Sequence, residues 1–201
     1  MKLLRLYLAS ASPRRLELLR QAGFDPIVVP GRLEEDGRRG ETPGEHVRRL
    51  AEAKGRAVAA SREWADPGVI LAADTAVAID GTILGKPPDA AAAGTMLRQL
   101  RGKPHHVWTG VFLLRTDDRR SVTESEATRV FFRPYDDATI GAYVATGEPL
   151  DKAGAYAIQG RGALLAERIE GSWSNVVGLP LERLPEWMRR IDVPLERLLD
   201  W

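Results

Sequence analysis

The chain of 201 residues contains no cysteine. Disulfides, thiolate metal sites and a cysteine nucleophile are therefore excluded, and the composition fits the reducing cytosol. No run is long and apolar enough to cross a membrane. The first residues alternate and lead straight into a polar Ser/Arg motif, unlike a signal peptide. Histidine is scarce. His46 falls on a polar helix face, and His105 and His106 are neighbours in a strand, so they point to opposite faces and cannot chelate one metal together. Zinc-type ligand spacing, a G-x-S-x-G elbow, a G-x-x-x-x-G-K-[ST] loop and a G-x-G-x-x-G turn after a strand are all missing. The net charge is only +1, so nothing global suggests a nucleic-acid partner. Lysine is rare as well: of 29 Lys and Arg residues only five are lysine, so the places where lysine stands (Lys2, Lys54, Lys86, Lys103 and Lys152) carry some information.

Against these absences, 44% hydrophobic residues suffice for a sizeable core, with no internal repeat and no clean linker. The chain reads as one α/β domain over 1–201, its strands and helices alternating. Leu4, Leu6 and Leu8 alternate as a first strand. A helix follows with Ser12 as its cap and Pro13 in its first position, and Gly23 ends it. Residues 26–29 read as a second strand and 31–40 as a charged loop. Thr42-Pro43-Gly44-Glu45 is a capping box opening a helix to about Ser61. A strand from Val69 runs through Asp74 to Ile79, turns at Asp80-Gly81 and returns over 82–84. Asp89 caps a helix carrying Ala93, Met96, Leu97 and Leu100 on one side. Residues 105–114 and 121–132 read as two long paired strands, and 137–146 as a short helix. Residues 163–169 read as a last strand and 181–191 as a terminal helix. The glycine-rich stretch 154–162 reads as a loop that approaches something closely.

Several residues stand out against this frame. Arg14 and Arg15 occupy the first turn of a helix, the end where the dipole disfavours cations. Either they are a solvated pair, or they converge with Ser10, Ser12 and the helix N-terminus on an anion such as a phosphate chain. Lys54 falls on the apolar stripe formed by Val47, Leu50, Ala51 and Val58, so it either snorkels to water or pairs with an anion. Asp74 interrupts an apolar strand. A metal ligand or general base is a natural role there, and a hydrogen bond to a neighbouring turn is the plainer one. Glu34, Glu35 and Asp36 are either a solvated acidic loop or oxygen ligands for a hard divalent cation. Lys86, before Pro87, is a point charge for a terminal phosphate or an ordinary turn residue. An acid set of Glu35 and Asp74 with dispersed cations suits a metal-bound polyphosphate attacked by water.

The order of motifs is itself distinctive. Leu8-Ala-Ser-Ala-Ser-Pro-Arg-Arg15, Leu50-Ala-Glu-Ala-Lys54, Ala73-Asp-Thr75, Gly85-Lys-Pro87, Pro149-Leu-Asp-Lys-Ala-Gly-Ala-Tyr156, Ile158-Gln-Gly160 and Val177-Gly-Leu-Pro-Leu181 follow one another over nearly the whole chain. Together they closely resemble the Maf family of septum-formation proteins. The resemblance implies a cytoplasmic nucleoside triphosphate pyrophosphatase, often a homodimer, that uses a divalent metal such as Mg²⁺ or Mn²⁺ to release monophosphate and pyrophosphate. It implies an elongated α/β fold like that of the inosine-triphosphate pyrophosphatases, with a mixed sheet and a cleft between two lobes. Carried over position by position, it makes Ser10, Arg14 and Arg15 phosphate-binding, Lys54 and Lys86 phosphate lysines, and Asp74 the proton acceptor. Glu35, or its neighbour Glu34, becomes a metal ligand together with Asp74, while Arg14, Thr75 and Gln159 are linked to substrate choice. The loop Pro30-Gly-Arg-Leu-Glu-Glu-Asp-Gly-Arg-Arg39 is more basic than the family pattern. Asp74-Thr75 with Ile158-Gln159-Gly160 resembles the branch acting on dTTP and UTP. The alternatives are the branch acting on methylated guanosine triphosphate and a non-hydrolytic nucleotide-binding regulator.

Overall fold

The computed structural model describes residues 4–31, 38, 40–64 and 66–199. Seven strands form one mixed sheet: β1 (Arg5–Leu8), β2 (Ile27–Val28), β3 (Gly68–Ile79), β4 (Thr82–Leu84), β5 (Pro104–Arg115), β6 (Ser121–Phe132) and β7 (Ala166–Glu170). Their order is β2-β1-β3-β5-β6-β7. The β2-β1 and β1-β3 pairs are parallel, and β3-β5, β5-β6 and β6-β7 are antiparallel. Among the described residues six α-helices accompany the sheet: α1 (Pro13–Gln21), α2 (Pro43–Ala60), α3 (Ala90–Leu100), α4 (Asp137–Ala145), α5 (Trp173–Val177) and α6 (Leu184–Arg189). The α/β class is the one expected from the alternating pattern, and the mixed sheet the one that the family resemblance implies.

The central strand β3 is paired with β5 along nearly its whole length. Its other edge is shared: β1 pairs with Gly68 to Leu71, and β4 with Val77 to Ile79. Between them, residues 72–76 have no strand partner on that edge among the described residues. Asp74 and Thr75 lie in this gap.

Alternation then sorts the side chains. On one face of β3, Ile70 and Ala72 pack with Ala51 and Val58 of α2 and with Phe112 of β5. Asp74 follows on that face. On the opposite face, Val69, Leu71 and Ala73 belong to an apolar cluster with α1 and α6, whereas Val77 and Ile79 belong to another with α3 and α4. Thr75 falls between the two clusters, and so does Thr109, its register partner on β5, between Val107 and Val111. The divided face therefore has a polar seam between two apolar lobes.

Helix α2 has the expected capping box: Thr42 Oγ1 accepts from the Glu45 amide, and the Glu45 carboxylate accepts from the Thr42 amide. Its packing is unusually close. A Cβ on Gly55 would stand 2.1 Å from Cδ1 of the buried Phe112 ring, and one on Gly110 would stand 2.2 Å from the Val47 carbonyl oxygen. Only glycine lets the helix and sheet approach this far, and the approach lays Lys54, the neighbour of Gly55, against β3.

Four local expectations need correction. Ser12 stands at the N-cap of α1, but its hydroxyl makes no capping bond; its amide donates to Ser10 Oγ at 3.2 Å. The last strand starts at Ala166 rather than 163, because residues 160–165 form a 3₁₀ turn. The expected helix over 181–191 is a 3₁₀ turn followed by α6. Pro185 lacks the N–H that a continuous helix would donate back to Leu181. Helix α5, capped by Ser172 Oγ accepting from the Asn175 amide, was not anticipated.

Candidate active site

The gap in the sheet opens into a cleft of about 710 Å³ between the two apolar lobes. Ser10, Arg14, Arg15, Lys54, Asp74, Thr75, Lys86 and Gln159 all line it. These are all the candidate residues except Glu35, which lies with Glu34 and Asp36 outside the described residues. Gly31, which leads into that acidic segment, also lines the cleft.

Lys54 and Asp74 answer one another. Lys54 Nζ donates to Asp74 Oδ1 at 2.6 Å, with 13% and 8% of the two side chains exposed. The lysine on the apolar stripe and the carboxylate in the apolar strand are thus one buried pair, each supplying the counter-charge the other requires. Among the described residues Asp74 Oδ2 accepts no hydrogen bond, which leaves that oxygen for a solvent or ligand atom.

Arg15 works differently from a solvated or simply anion-facing guanidinium. Its Nε donates to the Gly178 carbonyl at 2.8 Å, Nη1 to Ser10 Oγ at 3.0 Å and Nη2 to Thr75 Oγ1 at 2.9 Å. One planar fork thereby joins α1, the end of β1, β3 and the end of α5. From Thr75 the seam continues: Thr75 and Thr109 share a 3.0 Å hydroxyl contact, and Thr109 Oγ1 donates to the Asn175 carbonyl. Asn175 Nδ2 donates to the Val107 carbonyl and to Thr128 Oγ1, each at 3.0 Å. Thr109, Thr128 and Asn175 are fully buried. Sequence reasoning missed this chain. Its only signal was three polar residues at positions otherwise expected to be apolar or looped.

The other cations sit at the rim. Lys86 is exposed and forms no ion pair with the described residues. Arg14 reaches across the cleft to within 3.9 Å of Asp151. Lys152, also lining the cleft and not anticipated in a role, donates to the Glu148 carbonyl at 2.7 Å and to Asp151 at 2.5 Å. The Lys152 hydrogen bond holds the Asp151 carboxyl below its ordinary value. Below the cleft wall His105 Nε2 contacts the Tyr156 hydroxyl at 2.8 Å. Burial pushes the His105 pKa down to about 4, so it is neutral at pH 7.

A mixed sheet interrupted at its centre, with a buried Lys–Asp pair on one side of the gap and arginine and lysine side chains around the opening, defines an α/β protein with a cleft rimmed by cations. A family model described as Maf-like protein matches residues 5–191, and the chain belongs to this Maf family. A dTTP/UTP pyrophosphatase of Citrifermentans bemidjiense is 52% identical over 174 residues, covering 87% of this chain and 89% of its own. Another, of Moorella thermoacetica, is 50% identical over 182 residues, covering 90% and 92%. Among solved structures, the Staphylococcus aureus Ham1 protein aligns over 96% of this chain and 93% of its own, at 12% identity and a TM-score of 0.49.

Proposed function

We propose that the chain is a nucleoside triphosphate pyrophosphatase that hydrolyses dTTP and UTP to the monophosphate and pyrophosphate. One observation carries the reading: every described candidate residue, drawn from five separate stretches of sequence, lines one cleft with a buried carboxylate in it. Relatives half identical to this chain over nearly their whole length bear that activity in their names.

Each residue then has a task. Arg14, Lys54 and Lys86 oppose the charge of the triphosphate, and Ser10 contributes a hydroxyl beside it. Asp74 orients a water molecule through Oδ2 and takes its proton as the α–β phosphoanhydride breaks. Lys54 holds the carboxylate turned through its hydrogen bond to Oδ1. Arg15 fixes Ser10 and Thr75 relative to one another. Thr75 and Gln159 face the nucleoside end. A Gln amide offers both a donor and an acceptor, the complement of the N–H flanked by carbonyls in uracil and thymine.

By donor chemistry Asp74, together with Glu35 outside the described residues, would hold a hard divalent cation, Mg²⁺ or Mn²⁺. Among the described residues no three His, Asp or Glu side chains surround a common point, and cations of this type routinely complete their shell with substrate phosphates and water. Bound there, such a cation would neutralise triphosphate charge and polarise a phosphoryl oxygen. The proposal takes the whole chain as one catalytic domain acting in the cytoplasm as a homodimer. Among the described residues no helix is long and apolar enough to cross a membrane.

Pyrophosphate release from the natural triphosphates and 7-methyl-GTP, with Mg²⁺ or Mn²⁺, tests the reading. The expected result is a clear excess of catalytic efficiency for dTTP and UTP. Release of inorganic phosphate alone, binding without turnover, or a preference for the methylated guanine substrate would each refute it.

A further inference from the structure

The glycine-rich segment anticipated to approach something closely has its partner in Tyr143 and Glu148, which stand outside the cleft lining. Glu148 Oε1 accepts from the Gly162 amide at 3.0 Å and from the Tyr143 hydroxyl at 3.0 Å; Oε2 accepts from the Arg161 amide at 3.2 Å. The Tyr143 hydroxyl in turn accepts from the Ala157 amide at 3.4 Å. The segment is therefore pinned two residues before Gln159 and again two and three residues after it. Its neck is tight: a Cβ on Gly162 would stand 2.4 Å from the Ala157 carbonyl oxygen and 2.5 Å from the Tyr143 hydroxyl. At the tip, Ile158 packs against the lobe of α1 and α6, while Tyr143 and Tyr156 belong to the lobe of α3 and α4. The closed loop thus crosses from one lobe to the other, carrying Gln159 into the cleft.

We propose that Glu148 and Tyr143 are positioning residues for nucleobase selection, their hydrogen bonds to the neck of residues 157–162 fixing the peptide that presents Gln159. The inference rests on the nucleotide pyrophosphatase reading and adds to it. A side-chain amide discriminates between bases only if its donor and acceptor ends are held in one place. Gln159 itself is half-buried with no hydrogen bond to the described side chains, so its backbone must supply that fixity. Neither side chain lines the cleft, and Glu148 meets the cleft cation Lys152 through its main-chain carbonyl, which the substitutions below keep, so triphosphate binding is expected to survive them.

The test uses Tyr143→Phe, which keeps the ring and removes one hydroxyl, and Glu148→Gln, which turns an amide donor toward the backbone N–H groups. Catalytic efficiencies for dTTP and dCTP are compared, with inorganic tripolyphosphate as a competitive inhibitor that has no base. Losing a hydrogen bond that holds the reading peptide is expected to lower the dTTP-to-dCTP ratio by about tenfold, chiefly through KM for dTTP. The tripolyphosphate inhibition constant is expected to stay within about twofold, as uniform loss of fold would not allow. A ratio unchanged in Tyr143→Phe, or a parallel loss for all three ligands, would overturn the inference and leave the pyrophosphatase reading intact. No preference in the unsubstituted protein would overturn both. Should Glu148→Gln fail to fold, Tyr143→Phe alone decides the matter.

Discussion

Replacing Asp74 by Asn separates catalysis from packing. Asp74 Oδ1 lies 2.6 Å from Lys54 Nζ, with only 8% of the aspartate side chain exposed. Deleting one partner of a buried pair costs about 3–5 kcal/mol, but Asn keeps an acceptor at the same distance. What is lost is the difference between a charge-assisted bond of ~1.5–3 kcal/mol and a neutral one of ~1 kcal/mol, hence about 0.5–2 kcal/mol. The lysine borders a cleft, so solvation brings the figure toward the lower end. Against a typical stability of ~5–15 kcal/mol the variant stays folded at 25 °C. Turnover responds far more strongly. Removing a positioned base costs about 10²–10⁴-fold, or roughly 3–5 kcal/mol of barrier, and a weakened cation site adds to it. Urea unfolding measures the first quantity and initial rates of pyrophosphate release the second. A kcat within about threefold of the parent would refute the role of proton acceptor, since a base so nearly dispensable contributes far less than that range. A second substitution guards against the plain structural reading. If Asp74 served only as a counter-ion, Lys54→Met combined with Asp74→Asn would recover stability and Asp74→Asn alone would keep its turnover, whereas the mechanism requires the turnover of Asp74→Asn to be lost.

Gly55→Ala is expected to destabilise by about 1–3 kcal/mol, because the added Cβ meets the buried Phe112 ring at 2.1 Å and cannot be accommodated without moving α2; the same shift should lower turnover through the Lys54–Asp74 pair, as rates and urea curves together will show. Arg15→Lys loses at least two of the three bonds to Gly178, Ser10 and Thr75, so a thermal melt should reveal a loss of about 2–4 kcal/mol; unchanged stability with weaker nucleotide binding would instead mark Arg15 as a pure phosphate ligand. Lys86→Ala, at an exposed side chain, should raise KM severalfold and leave the melting temperature unaltered. His105 is held to about 4 from an ordinary 6.5 by burial, so the unfolded chain binds its proton first; stability present above pH 6.5 should therefore fall by about 3 kcal/mol as pH drops to about 4, and His105→Phe should lack that part of the slope in urea titrations at several pH values.

How much was legible in the sequence follows from the reach of each interaction. The capping box of α2, the Asp80-Gly81 turn and the two long strands are local, and residues a few positions apart specify them. Asp74 and Lys54 were each visible as a charge in an apolar setting, 20 residues apart, yet alternation alone did not say that each was the other's answer. Arg15 was visible only as a cation at the wrong end of a helix. One of its acceptors, Ser10, is five residues away, but the other two lie 60 and 163 residues away, beyond any periodicity. Residues 163–165 are apolar enough to read as strand, whereas they end a 3₁₀ turn whose start at Arg161 and Gly162 is held by Glu148, a tertiary partner.

The place of the site follows from the way β3 is shared. A strand of 12 residues buried on both faces has no room for a carboxylate if both edges are paired throughout. Here β1 stops at Leu71 and β4 begins at Val77, so the intervening residues face a space rather than a neighbour. The same interval separates the two apolar lobes on the divided face, which is why Thr75 rather than another valine stands there. On the opposite face the close contact at Gly55 brings a cation to the one acidic residue of the strand. The polar residues are therefore not exceptions scattered through an apolar sheet. They occupy the stretch of β3 where sheet pairing, lobe packing and helix approach all leave the strand open, and the cleft lined by Arg14, Lys54 and Lys86 opens there.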